Sequence, residues 1–150
     1  MQSINISHVD KYVGREIKIK GWIYNKRSSG SLIFLVIRDG TGFIQAVAVK
    51  GGVSDADFQK CNTLTQESSV IVKGEVKADK RAPGGYELAI KSIKIISIAR
   101  EYPIALKKHG VDFLMDWRHL WLRTPRQVAI LKVRHEIISS IRHFLDEKEF

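Results

Sequence analysis

The sequence predicts a mainly β chain: a five-stranded barrel over residues 1–102, a linker or hinge over 103–123, and a long helix over 124–150. Three observations predict it. Before Pro103, short segments alternate apolar and polar residues or run nearly continuously apolar, which are the two patterns of barrel strands. Glycine-containing turns separate several of them. After Pro103 the apolar residues recur at helical spacing instead.

The elements follow in order. Residues 7–13 predict a short helix, with Ser7 as N-cap and Gly14 as its stop. Residues 16–26 predict the first strand, where Ile17 and Ile19 alternate with Lys18 and Lys20. Residues 32–39 are almost continuously apolar, which predicts a strand buried on both faces for part of its length. The run DGTG (39–42) predicts a hairpin turn whose glycines take positive φ, and residues 43–50 supply the partner strand. Residues 54–64 predict a helix. Ser54 caps it, and Asp57 stands where a capping box prefers Glu or Gln. Residues 69–79 alternate again, PGG (83–85) is a loop, and residues 86–98 form a last strand carrying Leu88, Ile90, Ile93 and Ile95. Three strands, a helix and two strands over roughly 100 residues is the order of the OB-fold, a Greek-key barrel. Its helix plugs one end. A small barrel of another topology fits the same pattern.

Residues 104–117, with Lys107, Lys108, Gly110 and Asp112, read as the linker. TPRQ (124–127) is a helix start: Thr124 caps, Pro125 takes the first turn and Gln127 completes a capping box. Val128, Leu131, Ile137, Ile138, Ile141, Phe144 and Leu145 then give an amphipathic helix. Such a helix buries its apolar face against something else. The chain stops at Phe150 without a termination signal, so a larger protein is expected.

Composition bounds the function. The net charge is +9, with 16 Lys+Arg against 10 Asp+Glu up to Pro103 (+6) and 9 against 6 after it (+3). A basic excess spread over a folded domain favours a polyanionic partner, nucleic acid first, over a merely solubilising surface. No apolar run approaches the roughly 18 residues that span a bilayer, and residues 1–10 carry no signal-peptide core, so no membrane partner and a cytoplasmic location are expected. The single cysteine, Cys61, excludes an internal disulfide and a multi-thiolate zinc site, and it reads as inert. No phosphate-binding loop, HExxH or CxxC occurs, and Gly40 and Gly42 lack the third glycine of a dinucleotide fold. The five histidines form no ligand cluster, and His135 and His143 read as helix-surface residues. No metal, no cofactor and no catalytic residue is expected in this chain.

The stretch from Gly21 to Val49 is more specific. Trp22, Tyr24 and Phe34 interleave with Lys20, Lys26, Arg27 and Arg38. Base stacking combined with phosphate neutralisation is the chemistry that single-stranded nucleic acid requires. The alternative is that the aromatics fill the barrel. That is the favoured reading for Trp22, while alternation alone leaves Phe34 undecided.

The sequence GW (21–22), KR (26–27), GSLIF (30–34) and RDGTGFIQ (38–45) resembles, in order and spacing, the anticodon-binding OB domain of the class IIb aminoacyl-tRNA synthetases, the group for aspartate, asparagine and lysine. The resemblance covers essentially the whole chain. It implies that Phe34 stacks on the central anticodon uridine and that Gln45 reads that base's edge. A carboxamide can donate to O4 and accept from N3–H, whereas a carboxylate cannot donate. By the same resemblance Arg27, with Lys26 beside it, contacts the stem-loop, and Glu87 in GYEL (85–88) lines the same site. Arg38 and Asp39 match the pattern too, with an ion-pair or turn role as an equal alternative. RHLWLR (118–123) resembles the asparagine enzymes, since the aspartate and lysine enzymes resemble RYLDLR there. The helix after it resembles the motif 1 helix of class II synthetases, which implies a homodimer interface through Val128, Leu131 and Ile138. The resemblance implies a full enzyme that joins asparagine to tRNA with ATP and Mg2+, while motifs 2 and 3 would lie beyond Phe150. The rival readings are an aspartate- or lysine-type fragment, a free-standing OB module that binds single strands without preference, and a dimerisation module.

Overall fold

The computed structural model describes residues 3–150. The chain divides into two compact units, Met1–Tyr102 and Pro103–Phe150.

In the first unit five strands close a barrel in the order β1-β2-β3-β5-β4: β1 (Glu16–Ser29), β2 (Leu32–Arg38), β3 (Phe43–Val49), β4 (Ser69–Ala78) and β5 (Tyr86–Ser97). All neighbouring pairs are antiparallel except β3 and β5, which run parallel through Gln45↔Glu87, Ala46↔Leu88 and Val47↔Ala89. This is the OB-fold topology that the element order predicts.

Alternation places every second residue inside. Ile17, Ile19 and Ile23 from β1, Ile33, Leu35 and Ile37 from β2, and Ile44, Ala46 and Ala48 from β3 are buried, as are Val70, Val72, Val76, Leu88, Ile90 and Ile93. Each fully buried isoleucine contributes about 1.5–3 kcal/mol. β2 is thus fully buried on one face only: Leu32, Phe34, Val36 and Arg38 on the other are half-buried, so burial of both faces is not what its apolar run records.

Two glycines mark where strands cross closely. A Cβ on Gly21 would lie 2.4 Å from the Arg38 carbonyl oxygen, and one on Gly74 would lie 2.3 Å from that of Ala89. Bulges adjust the alternation. β5 skips Lys91 between Ile90 and Ser92, which returns Ile93 to the core after Leu88 and Ile90. β1 skips Tyr24, so Lys26 pairs with Leu35 and Arg27 with Phe34.

Helix α1 (Asp55–Thr63) packs against β2, β3 and β5 and adds Cys61 to the core, with Leu64 just beyond its end and Phe58 packed alongside. Ser54 caps it by accepting the Asp57 N–H at 3.1 Å. The reciprocal half of the predicted capping box is absent, because the shorter Asp57 side chain pairs with Lys60 Nζ at 2.7 Å.

Several turns differ from expectation. The N-terminal element is a 3-10 helix, Ile6–Tyr12, and its N-cap position is Asn5, without a side-chain cap. Ser7 instead donates its own N–H to Thr41 Oγ1 at 3.1 Å. At DGTG neither glycine takes positive φ. Asp39 shapes the turn: Oδ1 accepts from the Thr41 N–H (2.7 Å), the Thr41 hydroxyl (2.7 Å) and the Gly42 N–H (3.0 Å), while Oδ2 accepts from the Ile6 N–H (2.8 Å). A Cβ on Gly42 would sit 3.2 Å from Ile6 Cγ2, so that glycine is explained by the docking of the 3-10 helix. Among the described residues, no buried side-chain nitrogen or oxygen lacks a hydrogen bond.

The second unit holds α2 (Val111–Asp116), α3 (Arg118–Trp121) and α4 (Pro125–Glu147), so the predicted linker contains two short helices. Thr124 does not cap α4 with its side chain; the hydroxyl donates to the Trp121 carbonyl at 2.8 Å. Val128, Leu131, Ile137, Ile138, Ile141, Phe144 and Leu145 are all exposed along α4, as are His135 and His143.

Candidate nucleic-acid interface

The outward-facing residues of β1, β2, β3 and β5 form rows across the barrel, because directly paired residues share a face. One row runs Arg27–Phe34–Val47–Ala89. The next runs Asn25–Val36–Gln45–Glu87 and ends on Lys77 of β4. A third runs Trp22–Arg38–Phe43.

Phe34 is half-buried, with the Arg27 guanidinium over its ring at 4.5 Å from the centroid. This is a cation–π contact at an exposed position. Two residues further along the same strand, Val36 stands beside Gln45. The Gln45 Nε2 lies 3.5 Å from Glu87 Oε2, a long hydrogen bond in which the amide donates. Phe34, Gln45, Arg27 and Glu87 therefore share one face: a ring, a carboxamide edge, a cation and an acceptor. That combination can stack on a base, read its edge and neutralise a phosphate.

Lys26 is not on this face. The bulge at Tyr24 turns it the other way, and its Nζ donates to the Asn62 carbonyl at 2.6 Å, in the last turn of α1. A lysine there also complements the helix dipole. Trp22 corrects the expectation that it fills the barrel: it is 40% exposed and lies outside, since Gly21 and Ile23 take the inner positions.

Arg38 and Glu67 form a buried bidentate ion pair, with side-chain exposures of 13% and 4%. The Arg38 guanidinium also stands 5.2 Å from the Trp22 ring. Arg38 thus takes the ion-pair alternative and Asp39 the turn alternative. Tyr24 meets Phe43 edge-on at 4.9 Å, which extends the aromatic surface along the barrel.

The sequence reading missed Lys77 and Arg81 as neighbours of Glu87. Lys77 pairs with Glu87 across β4 and β5. Arg81 is fully exposed; its pKa is raised chiefly by its hydrogen bond to Asp79, with the Glu87 charge adding to the effect. Asp79 is correspondingly held below the usual carboxylate range, mainly by the Arg81 side chain. Only the cross-strand register, which depends on a bulge, could have revealed the Lys77 pairing. Among the described residues, no group of three or more His, Cys, Asp or Glu is placed to hold a metal, and no helix is long and apolar enough to cross a membrane.

Comparison with known proteins agrees with this geometry. The tRNA anticodon model, described as an OB-fold nucleic acid binding domain, matches residues 17–96. Asparagine–tRNA ligases from Desulforamulus reducens and Pelotomaculum thermopropionicum are 51% and 48% identical over the whole chain, which spans 35% of each relative's length. The asparaginyl-tRNA synthetase from Pyrococcus horikoshii complexed with asparaginyl-adenylate superposes with a TM-score of 0.92 at 38% identity, covering 99% of this chain and 35% of that one. An aspartyl-tRNA synthetase from Entamoeba histolytica, at 24% identity and a TM-score of 0.86, shares the fold. The resemblance drawn from RDGTGFIQ and RHLWLR is borne out, since the chain's homologues over its full length are asparagine–tRNA ligases. The chain belongs to the tRNA-anticodon family of OB-fold nucleic acid binding domains.

Proposed function

We propose that this chain reads the anticodon of an asparagine tRNA as the recognition part of an asparagine–tRNA ligase. The observation that carries the reading is the shared outer face of Arg27, Phe34, Gln45 and Glu87 on four adjacent strands. Phe34 stacks on the central uridine. Gln45 donates from Nε2 to O4 and accepts N3–H at Oε1. Arg27 neutralises the loop backbone, and Glu87 lines the same site. Lys26, bonded to α1, acts from behind this face by holding the helix.

The full enzyme attaches asparagine to tRNA with ATP and Mg2+ in the cytoplasm. That chemistry belongs to the part of the relatives' length that this chain does not span. α4 opens the catalytic domain, and its exposed Val128, Leu131 and Ile138 form a homodimer interface there. The net charge of +9 supports the nucleic-acid partner through salt-dependent phosphate contacts.

The test is fluorescence-anisotropy binding to a labelled asparagine anticodon stem-loop, against the same loop with its central uridine changed to cytidine, at two salt concentrations. A preference for uridine over a salt-sensitive baseline is the expected result. Equal binding to both loops would leave a barrel that binds single strands without reading them.

A further inference from the structure

We infer that Glu87 is a specificity-determining positioning residue: it fixes which way the Gln45 carboxamide faces and so makes Gln45 a reader of uracil against cytosine. The inference deepens the anticodon reading proposed above and rests on it.

A carboxamide has an oxygen end and an NH2 end of nearly the same shape. Uracil presents O4, an acceptor, beside N3–H, a donor. Cytosine presents N4–H2, a donor, beside N3, an acceptor. With Nε2 toward the O4 position, glutamine matches uracil. Turned half a revolution about its last bond, the same side chain matches cytosine with two equally good hydrogen bonds. A freely turning glutamine therefore discriminates poorly between the two pyrimidines, although either base satisfies it.

Gln45 does not turn freely. It pairs with Glu87 in the parallel register of β3 and β5, and its Nε2 faces Glu87 Oε2 at 3.5 Å. A carboxylate only accepts. Reversing the amide would set Oε1 against the carboxylate, acceptor against acceptor. At 3.5 Å the hydrogen bond itself is weak, so the discrimination comes from the penalty on the reversed orientation. One Nε2 hydrogen faces Glu87; the other, with Oε1, forms the edge that a base meets. Lys77, directly across β4 from Glu87, favours a charged carboxylate at this position. Reading of the central base is thus shared between a residue that touches it and a neighbour that orients the toucher.

The experiment measures binding of the uridine and cytidine stem-loops to the unsubstituted chain, to Glu87→Gln and to Glu87→Ala, by anisotropy, with folding of each checked by thermal unfolding. The unsubstituted chain should prefer uridine by roughly ten- to a hundredfold, the range that one bidentate base contact gives. Glu87→Gln offers either a donor or an acceptor, and Glu87→Ala offers neither. In both, the uridine-to-cytidine ratio should collapse toward unity, chiefly because the cytidine loop gains affinity. A merely structural role would weaken both loops in proportion and leave the ratio intact. An unchanged ratio in either folded variant overturns this inference and leaves the anticodon reading standing. No uridine preference in the unsubstituted chain overturns both.

Discussion

The guanidinium of Arg27 lies over the ring of Phe34, its Cζ 4.5 Å from the centroid, so the aromatic surface offered to a base is already stacked on a cation. The pairing follows from the bulge at Tyr24, which sets Arg27 directly opposite Phe34 in the β1–β2 register. An incoming base must displace the guanidinium or share the ring with it. A displaced guanidinium becomes available to a phosphate.

Phe34→Ala should therefore weaken binding of an anticodon stem-loop by about 1–3 kcal/mol, the usual worth of one stacked base. Arg27→Ala should lower the salt dependence of binding by about one counterion. The two effects should not add, because each substitution removes the partner of the other. Anisotropy titrations of both single variants and the double variant over a salt series measure the coupling. Unchanged affinity in folded Phe34→Ala, or strict additivity, would rule out the stacked pair as the anchor.

Gln45→Glu tests the base edge directly. The substitution removes the only donor that this side chain can offer O4, and it sets a second carboxylate beside Glu87. The uridine stem-loop should lose affinity by roughly 1–3 kcal/mol relative to the cytidine loop. Equal losses on the two loops would count against edge reading and point to general repulsion of the phosphate backbone.

Much of the barrel was legible because the inward residues alternate in the sequence itself: Ile17, Ile19, Ile33, Leu35, Ile37 and Ile44 mark their strands without ambiguity. The site was less so. Strict alternation from Trp22 puts Lys26 outside and Arg27 inside, and only the skipped Tyr24 reverses them. Bulges carry no dependable sequence mark, so Lys26 looked like a ligand contact and proves to hold the end of α1. Trp22 misleads in the opposite sense: a large aromatic suggests core, but Gly21 beside it has no room for a Cβ and takes the inner place. At DGTG the glycines suggested positive φ, whereas the Asp39 side chain supplies the turn with its hydrogen bonds. Long-range side-chain bonds such as Asp39 to Ile6 are invisible to a local reading.

Cys61 offers a pH test of the core. Burial pushes its thiol from 9.0 up to about 11, and the nearby Asp57 charge adds to the rise. The folded state thus keeps the thiol protonated where the unfolded state ionises it. The associated stability is complete below about pH 9 and declines as pH rises toward 11. The loss should reach roughly 2–3 kcal/mol, since a tenfold change in an ionisation equilibrium is worth about 1.4 kcal/mol. Urea unfolding at a series of alkaline pH values should show this decline, and Cys61→Ala should flatten it. A thiol reagent should label Cys61 in the native chain only as fast as local or global opening allows; rapid labelling of folded protein at neutral pH would contradict the burial.

The Arg38–Glu67 pair ties β2 to the segment entering β4, and it stands on the barrel face next to the Gln45 row. Both side chains are largely withdrawn from water, so breaking the pair leaves a buried charge instead of restoring a hydrated one. Glu67 is also held at φ 67, a left-handed conformation that a non-glycine residue adopts at a cost, which indicates that its side-chain contacts fix the backbone there. Glu67→Gln keeps the shape and removes the charge. It should destabilise the barrel by about 3–5 kcal/mol, the usual result of removing one partner of a buried ion pair. Urea denaturation measures the loss, and the folded fraction should still bind the anticodon stem-loop with its uridine preference intact. A loss below about 1 kcal/mol would place the pair among surface salt bridges in energetic terms, despite its burial. A lost uridine preference in folded Glu67→Gln would mean that this pair, and not only Glu87, orients the reading face.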